Sequence, residues 1–502
     1  MSDFYAPVDD ILYSLDHIAD AARIPDWDID TAKEILSHFA QLAEGVIAPT
    51  NADGDTQGAQ LINGRVRLPD RFKDAFAQLA DGGWQGASVP EEYGGMALSP
   101  LINSGISEIF SGANHSLQMV CNLVPGAAKT LMRYGTDAQK SEWLPKLADG
   151  RALSTMCLTE PQAGSDLAAI QCRAEPLGDD WILNGEKIFI SGGDQNLTET
   201  ILHLVLARSE QSSSGVKGLS LFICKPQLGV SVSRLERKLG LHASPTCHML
   251  FENAKAELVG ELGQGLAAMF TLMNHARIDV ALQGVGHAAR AADLAQRYAD
   301  DRIQGRKADG TKTRLSDHAD VMRMLSRQHW LAATARAACH MTLAEMELSQ
   351  RPALIEFLTP LCKIMGSEAG IEAADLGIQI MGGYGYLTEY GMEQIWRDAR
   401  ITAIYEGANG IHRRALARRG IQPGGGADEF AQFIHSFATE KGELSKRLVD
   451  WERQKEALKA AENPDERAFD FSETAIELMT LAARKKIRAT LEQCPNPRRF
   501  TE

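Results

Sequence analysis

Trp181-Ile182-Leu183-Asn184-Gly185-Glu186-Lys187-Ile188-Phe189-Ile190-Ser191-Gly192-Gly193 carries a strong strand signal in a chain whose period changes from helix to strand at about Ser154. Two short apolar runs flank Asn184-Gly185, a dipeptide whose tolerance of positive φ predicts a two-residue hairpin turn. Outward from it, Ile201–Ala207, Leu219–Cys224, Val230–Leu235 and Cys247–Phe251 read as further short strands separated by Gly, Ser and Pro. That spacing predicts a small sandwich or barrel. On the N-terminal side the apolar period is helical. Ile35, Leu36, Phe39 and Leu42 make a stripe within Ile29–Val46, and Phe72, Phe76 and Leu79 mark a second helix. Ile102–Phe110 and Ala127–Tyr134 read as two more, with Trp84–Gly95 as a loop broken by Pro90 and Gly94-Gly95.

Beyond Gly263 the strand signal ends. Leu266–Tyr298 is apolar around most of its circumference, as a helix inside a bundle should be. Ala319–Ser349, Pro360–Met381 and Ile411–Arg419 bring the count to four. Pro423-Gly424-Gly425-Gly426 reads as a linker. After it, Phe430, Phe433, Phe437, Leu444, Leu448 and Trp451 fall roughly on one helical face and predict a tail packed on the body. The expected architecture is multidomain α+β: a helical part over 1–153, a β-domain over 154–258, a four-helix bundle over 259–420 and a helical extension over 421–502.

Composition narrows the function classes. The 502 residues are 44% hydrophobic and 24% charged, with 52 Lys and Arg against 66 Asp and Glu, a net charge of −14. This balance counts against a dedicated nucleic-acid binder, which needs accumulated positive charge. Mean hydropathy is −0.21, and no run is long and apolar enough for a membrane span. The first residues lack the basic-then-apolar layout of a signal peptide. The 8 cysteines are scattered without any Cys-x-x-Cys pair, which argues against structural zinc and a disulfide framework. The expected setting is the cytoplasm, and no metal ligands are assigned.

Four segments offer chemistry. Met156-Cys157-Leu158-Thr159-Glu160-Pro161-Gln162-Ala163-Gly164-Ser165-Asp166 supplies a hydroxyl, a bend and small residues that allow close backbone approach by a ligand, although a helix-to-strand turn explains it as well. Lys187–Gly193 could present an aromatic ring and a hydroxyl edge, whereas Phe189 taken alone reads as core. Gln379-Ile380-Met381-Gly382-Gly383-Tyr384-Gly385-Tyr386 ends an apolar helix. It lacks both the glycine spacing and the preceding strand of a dinucleotide-binding fingerprint, which is rejected. In Ile404-Tyr405-Glu406-Gly407-Ala408-Asn409-Gly410-Ile411, a carboxylate in an apolar setting would be raised in pKa, as a general base for a weak carbon acid requires. A lone Glu before Gly is otherwise a solvated loop.

In this order, the four segments resemble the acyl-CoA dehydrogenase family over roughly residues 30–420. Phe4-Tyr5-Ala6-Pro7, Ser191-Gly192-Gly193-Asp194, Met273-Asn274-His275-Ala276-Arg277 and Tyr405–Gly410 are similar to the methylthiopropanoyl-CoA dehydrogenase-like subfamily, which has a C-terminal extension. The resemblance implies a helical N-terminal domain, a middle β-domain and a C-terminal four-helix bundle, with FAD as cofactor. It places Met156, Leu158, Thr159, Gly164 and Ser165 along the flavin, Ser165 also near the pantetheine of CoA, and packs Phe189, Ile190 and Ser191 against the isoalloxazine. Arg302, Gln379, Gly382 and Gly383 match residues that hold the far half of an FAD shared with a neighbouring subunit. Here Arg302-Ile303-Gln304-Gly305 lacks the family's phenylalanine, and with it the stack on adenine.

By the same resemblance, Asn274 and Arg277 match the CoA-binding Asp-x-x-Arg, with the Asp charge lost. Ala408 and Gly410 stand where the family has Thr and Gln beside FAD. Glu406 matches the catalytic base and Gly407 a backbone donor to the thioester carbonyl; the alternative base position on the helix before Arg277 is Ala276. The implied reaction is α,β-dehydrogenation of an acyl-CoA to the trans-2-enoyl-CoA, with hydride transfer to flavin N5. An electron-transfer flavoprotein is the expected acceptor, and a homodimer or homotetramer the expected assembly. Two rivals remain: an acyl-CoA oxidase using oxygen, and a flavin-containing DNA-associated protein suggested by the basic run Arg413, Arg414, Arg418 and Arg419.

Overall fold

The computed structural model describes residues 4–178, 180–210, 212–439 and 442–500; the side chains of Ser212, Ser213, Asn274 and His275 also lie outside what is described. In chain order, α1 (Val8–Tyr13), α2 (Ile29–Leu42) and α3 (Asn51–Gln57) precede a hairpin of β1 (Gln60–Ile62) and β2 (Arg65–Arg67). Then come α4 (Asp70–Asp81), α5 (Pro100–Cys121), α6 (Val124–Tyr134) and α7 (Asp137–Ala148). Strands β3 (Ala152–Cys157), β4 (Arg173–Leu177), β5 (Asp180–Ser191), β6 (Thr200–Arg208), β7 (Leu219–Cys224), β8 (Val230–Leu235) and β9 (Thr246–Val259) share one sheet. The remainder is helical apart from the small hairpin of β10 (Ile303–Arg306) and β11 (Lys312–Arg314). Its long helices are α8 (Gly265–Asp301), α9 (Ala319–Leu348) and α10 (Pro352–Met381), followed by α11 (Met392–Ala399) and α12 (Asn409–Ala415). The extension contains α13 (Ala427–His435), α14 (Glu443–Lys459) and α15 (Ala468–Ala489).

The chain forms two compact units, one of Met1–Glu44, Pro100–Ala113 and Arg277–Glu502, the other of Gly45–Ser99 and Asn114–Ala276. It passes between them inside α5, where Asn114 leaves helical geometry at φ −158°, and again within α8. No helix among the described residues is long and apolar enough to cross a membrane.

In the second unit the sheet runs β3-β6-β4-β5-β9-β7, with β8 on β9, and a further β6–β7 pairing closes it into a ring. Leu183, Ile190, Val205, Phe222 and Phe251 fill its core. The hairpin expected at Asn184-Gly185 does not form. The reversal falls at Gly178 (φ +62°), where Leu177 pairs with Asp180, and β5 continues unbroken for 12 residues. Asn184-Gly185 instead absorbs a register shift against β9 between Leu183 and Gly185. Gly185 has φ +145°, and a Cβ there would lie 2.8 Å from the Cys172 Cα. Its glycine therefore serves two separate needs, the positive φ at the register shift and the close approach of the Cys172 backbone, which a Cβ would block.

In the first unit, glycines set how closely the bundle helices cross. A Cβ on Gly284 of α8 would sit 2.1 Å from the Gly366 oxygen of α10, and one on Gly366 would sit 2.2 Å from the Ala281 oxygen. Only residues without side chains permit this backbone contact. The extension packs as expected, although on two helices. Phe430 of α13 stacks on Phe357 of α10 at 4.9 Å, and Trp451 of α14 stacks on Phe471 of α15 at 5.0 Å. Phe430 and Trp451 are fully buried. The expected linker is a tight turn rather than a free tether: a Cβ on Gly426 would lie 2.0 Å from the Ala353 oxygen.

Candidate active site

Glu406 lies in an irregular turn between α11 and α12, with φ +54°, followed by Gly407 at φ +95°. Two consecutive left-handed residues turn the backbone sharply, and a Cβ at 407 would lie 2.9 Å from His412 Nε2. His412 donates that Nε2–H to the Glu406 carbonyl at 3.1 Å. Burial holds the His412 imidazole down to about 3, so it stays neutral. The Glu406 side chain keeps some exposed surface, yet its Oε2 is shielded and has no hydrogen-bond partner among the described residues. Desolvation raises this carboxyl to about 7, against the opposing pull of the Arg277 and Lys363 charges. The backbone N–H groups of Glu406 and Gly407 likewise donate to no protein acceptor among the described residues. A carboxyl raised in pKa and two backbone donors without a protein acceptor among the described residues thus fall on consecutive residues, a combination able to take up a proton and to meet developing negative charge.

Sequence reading missed the residues that hold this turn. Lys363 of α10 is fully buried and donates from Nζ to the Gly407 carbonyl at 2.8 Å and to Asn409 Oδ1 at 2.9 Å. Desolvation lowers its ammonium to about 7, although the Glu406 and Glu368 charges oppose the shift. Asn409 Nδ2 donates to Ser367 Oγ and to Glu368 Oε1, each at 3.1 Å. The available signal was a single lysine in the apolar run Leu361-Cys362-Lys363-Ile364-Met365. On the other side, Tyr405 donates its hydroxyl to Gln283 of α8. The α8–α10 glycine crossing is what brings these side chains to one place.

In the sheet unit, Met156 and Thr159 are half-buried, Leu158 is buried, and Gly164 and Ser165 are exposed. Phe189 is 59% exposed and has φ +59°, a costly conformation for an aromatic residue. It is therefore not the core residue that its neighbours suggest. Ile190 is buried in the sheet core, so only its backbone faces outward, while Ser191 is half-buried. The two segments are tied together: Ile188 N–H donates to the Thr159 carbonyl at 2.9 Å. Buried Lys187 reaches the Leu158 carbonyl at 3.0 Å and Glu160 Oε1 at 2.7 Å. Arg65 and the Val66 N–H both bond Asp194, fixing the turn after Ser191.

In the helical unit the Arg302 guanidinium lies 5.5 Å above the Tyr384 ring, which links it to the Gly382–Tyr386 turn. Tyr384 packs on Tyr298 and Tyr390, an aromatic group that sequence reading did not single out. Gln379, Gly382, Gly383, Ala408 and Gly410 are exposed. Added Cβ atoms at Gly164, Gly382, Gly383 and Gly410 would meet nothing within 4 Å. Arg277 is within electrostatic reach of Glu406. Asn274 lies on α8, with its side chain outside what is described. Three of the four arginines of the basic run are engaged in ion pairs: Arg413 with Glu368 and Glu473, and Arg414 and Arg418 with Asp465.

Three family models match the chain: acyl-CoA dehydrogenase N-terminal domain over residues 30–151, middle domain over 155–254 and C-terminal domain over 263–421. The chain belongs to the acyl-CoA dehydrogenase family. It is 41% identical over 475 residues to a 3-methylmercaptopropionyl-CoA dehydrogenase of Ruegeria pomeroyi, covering 88% of this chain and 80% of the relative. An acyl-CoA dehydrogenase of Bacillus anthracis complexed with FAD superimposes with TM-score 0.75 at 25% identity, over 94% of this chain and 82% of the other. ACDH-11 of Caenorhabditis elegans, solved with C11-CoA, shares the fold at TM-score 0.82 and 20% identity, over 99% and 92% of the two chains. This acyl-CoA dehydrogenase is thus an oxidoreductase acting on acyl-CoA thioesters, from a family that uses FAD.

Proposed function

We propose that this enzyme converts an acyl-CoA to its trans-2-enoyl-CoA with Glu406 as the base. The observation that supports this most directly is the shielded Glu406 Oε2, without a partner among the described residues and with its carboxyl raised to about 7. A thioester α-proton is weakly acidic, so the base must be strong for a carboxylate and the developing charge on the carbonyl oxygen must be met. Burial supplies the first condition. The N–H groups of Glu406 and Gly407 supply donors for the second, while Arg277 and Lys363 hold Glu406 ionised often enough at neutral pH to accept the proton.

The residues present fit FAD. Exposed Phe189 offers a ring face to a flat ligand, Gly164 leaves room for close backbone approach, and Thr159 and Ser191 offer hydroxyls beside it. Arg302, Gln379, Gly382 and Gly383 would hold the phosphate-bearing half, and we assign that half to an FAD shared with a second copy in a homodimer or homotetramer. Bound there, FAD supplies a hydride acceptor for the β-hydrogen. Leu158 and Ile190, buried, would shape that site through their backbone. Ala408 and Gly410 would flank it without polar side chains, and Ser165, Asn274 and Arg277 would face the CoA portion.

The acyl group we assign is short or medium in chain length, with thioether-bearing acyl groups included because of the likeness to the Ruegeria enzyme. The acceptor we assign is an electron-transfer flavoprotein, and the setting cytoplasmic. Anaerobic mixing of native protein and Glu406→Gln with a panel of acyl-CoA esters tests the base. Native protein should bleach the flavin band, and the variant should bind with bleaching slowed roughly 10²–10⁴-fold. Bleaching at the native rate would overturn the assignment. Rapid reoxidation by air would favour an oxidase instead.

A further inference from the structure

We infer that the C-terminal extension braces the turn that bears Glu406, with Arg413, Ser472 and Glu473 as positioning residues. The inference rests on the reading of Glu406 given above. It follows a continuous chain of hydrogen bonds that starts in the extension and ends one residue from the base.

Ser472 and Glu473 lie on α15. Ser472 Oγ accepts from Arg413 Nη1 at 2.7 Å while donating to the Phe469 carbonyl at 2.8 Å, which fixes its orientation. Glu473 accepts from the same Nη1, and the Phe469 ring lies 4.5 Å from the guanidinium carbon. Three groups of the extension thus surround an arginine that is only 6% exposed. Its Nη2 donates to Glu368 Oε1 of α10 at 2.8 Å. That same oxygen accepts from Asn409 Nδ2, and Asn409 Oδ1 accepts from Lys363, which also donates to the Gly407 carbonyl.

Each link is bidentate or shared, so one side chain cannot shift without loosening the next. The planar arginine fork suits this use, because its donors leave in fixed directions toward Ser472 and Glu473 on one side and Glu368 on the other. The element held in this way is under backbone strain at Glu406, a non-glycine residue at φ +54°. Such conformations persist only where surrounding contacts over-determine them. The bundle supplies Lys363, Ser367 and Glu368; the outer clamp on Arg413 comes from the extension alone.

The double variant Ser472→Ala/Glu473→Gln weakens that clamp, removing the Ser472 hydrogen bond and the Glu473 charge, without touching Glu406, Arg413 or the apolar packing of α15. Hydrogen exchange of the amides over residues 405–411 should accelerate, with sheet amides unchanged. Turnover number should fall about 10- to 100-fold, the scale of a small misplacement of a reacting group, and KM should stay within about twofold, since ground-state binding is not addressed. Asp465→Asn is the comparison. It frees the exposed Arg414 and Arg418 pairs to the extension but breaks no link in the chain to Asn409, so turnover and exchange should stay native. Native exchange over 405–411 in the double variant overturns the brace; faster exchange with native turnover overturns its link to catalysis. Failure of the Glu406 reading would show separately, as native bleaching by Glu406→Gln whatever the exchange data say.

Discussion

Lys363 Nζ stands 2.8 Å from the carbonyl oxygen of Gly407, so a fully buried cation holds the Gly407–Ala408 peptide, one residue beyond Glu406. Its two acceptors, that carbonyl and Asn409 Oδ1, are both neutral. The ammonium is thus held as a donor in a fixed direction while its charge acts through space on Glu406. One residue thereby serves both the geometry of the turn and the acidity of the carboxyl.

Lys363→Met keeps most of the side chain's volume and removes the donor. Leaving the Gly407 carbonyl without its partner should cost about 1–3 kcal/mol of stability, read from denaturant unfolding. Turnover should fall with KM little changed, because the turn loosens while the ground-state contacts to the CoA portion remain. A fall in KM-related binding alone, with turnover intact, would contradict the role given to Lys363.

The pH dependence has a definite sign. As the proposed base, Glu406 would act in its ionised form, so turnover should rise with pH on an acid limb centred near 7, where its carboxyl is held. For stability, a carboxyl raised from about 4.5 to about 7 binds more protons when folded, so its contribution falls as pH rises between those values. Lys363, lowered from 10.5 to about 7, binds fewer protons when folded, so its contribution grows as pH rises from about 7 toward 10.5. Together they place the least favourable point near neutrality. The difference in melting temperature between native protein and Glu406→Gln should accordingly widen from pH 4.5 to pH 7. A difference independent of pH would contradict the raised carboxyl.

Much of the molecule could be read from residue order alone, and the exceptions have physical causes. The apolar residues of the extension announce themselves through their spacing, whereas Glu406 and Phe189 stand out only through the resemblance of their segments to the acyl-CoA dehydrogenase family; taken alone they read as loop and core. Lys363, Glu368, Arg413 and Ser472 do neither, since each looks like an ordinary helical residue and their meeting depends on tertiary packing of α10, α12 and α15. Asn184-Gly185 misleads for a different reason: a residue pair that tolerates positive φ suits a bulge as well as a hairpin turn. The glycines of Pro423–Gly426 likewise resemble a flexible tether, although their purpose is contact with the Ala353 backbone.

Glycines also separate stability from ligand binding. Gly284→Ala would drive a methyl into the Gly366 carbonyl and should cost about 3 kcal/mol, the upper end of over-packing penalties. Gly164→Ala meets no protein atom within 4 Å and should leave unfolding unchanged. If Gly164 lies along FAD as proposed, that variant should still lose flavin on purification. A Gly164→Ala protein with full flavin content would remove this residue from the cofactor site.

The buried pair of Lys187 and Glu160 should hold the sheet side of the site together. Their side chains are 0% and 2% exposed, and the ammonium–carboxylate distance is 2.7 Å. Glu160 also accepts the Gln171 and Cys172 N–H groups, and Lys187 also holds the Leu158 carbonyl. The pair therefore clamps the Met156–Ser165 segment against β5, whose end presents Phe189. Glu160→Gln retains size and some hydrogen bonding but leaves a buried ammonium without its counter-charge. Breaking one partner of such a pair costs about 3–5 kcal/mol, so unfolding by denaturant should shift by that amount. Glu160→Gln/Lys187→Met removes both charges and should recover part of the loss, because the desolvation penalty disappears with them. Flavin content should fall further in the double variant, because Lys187→Met also removes the bond to the Leu158 carbonyl. Equal stability of native protein and the single variant would show that the pair is not the clamp described.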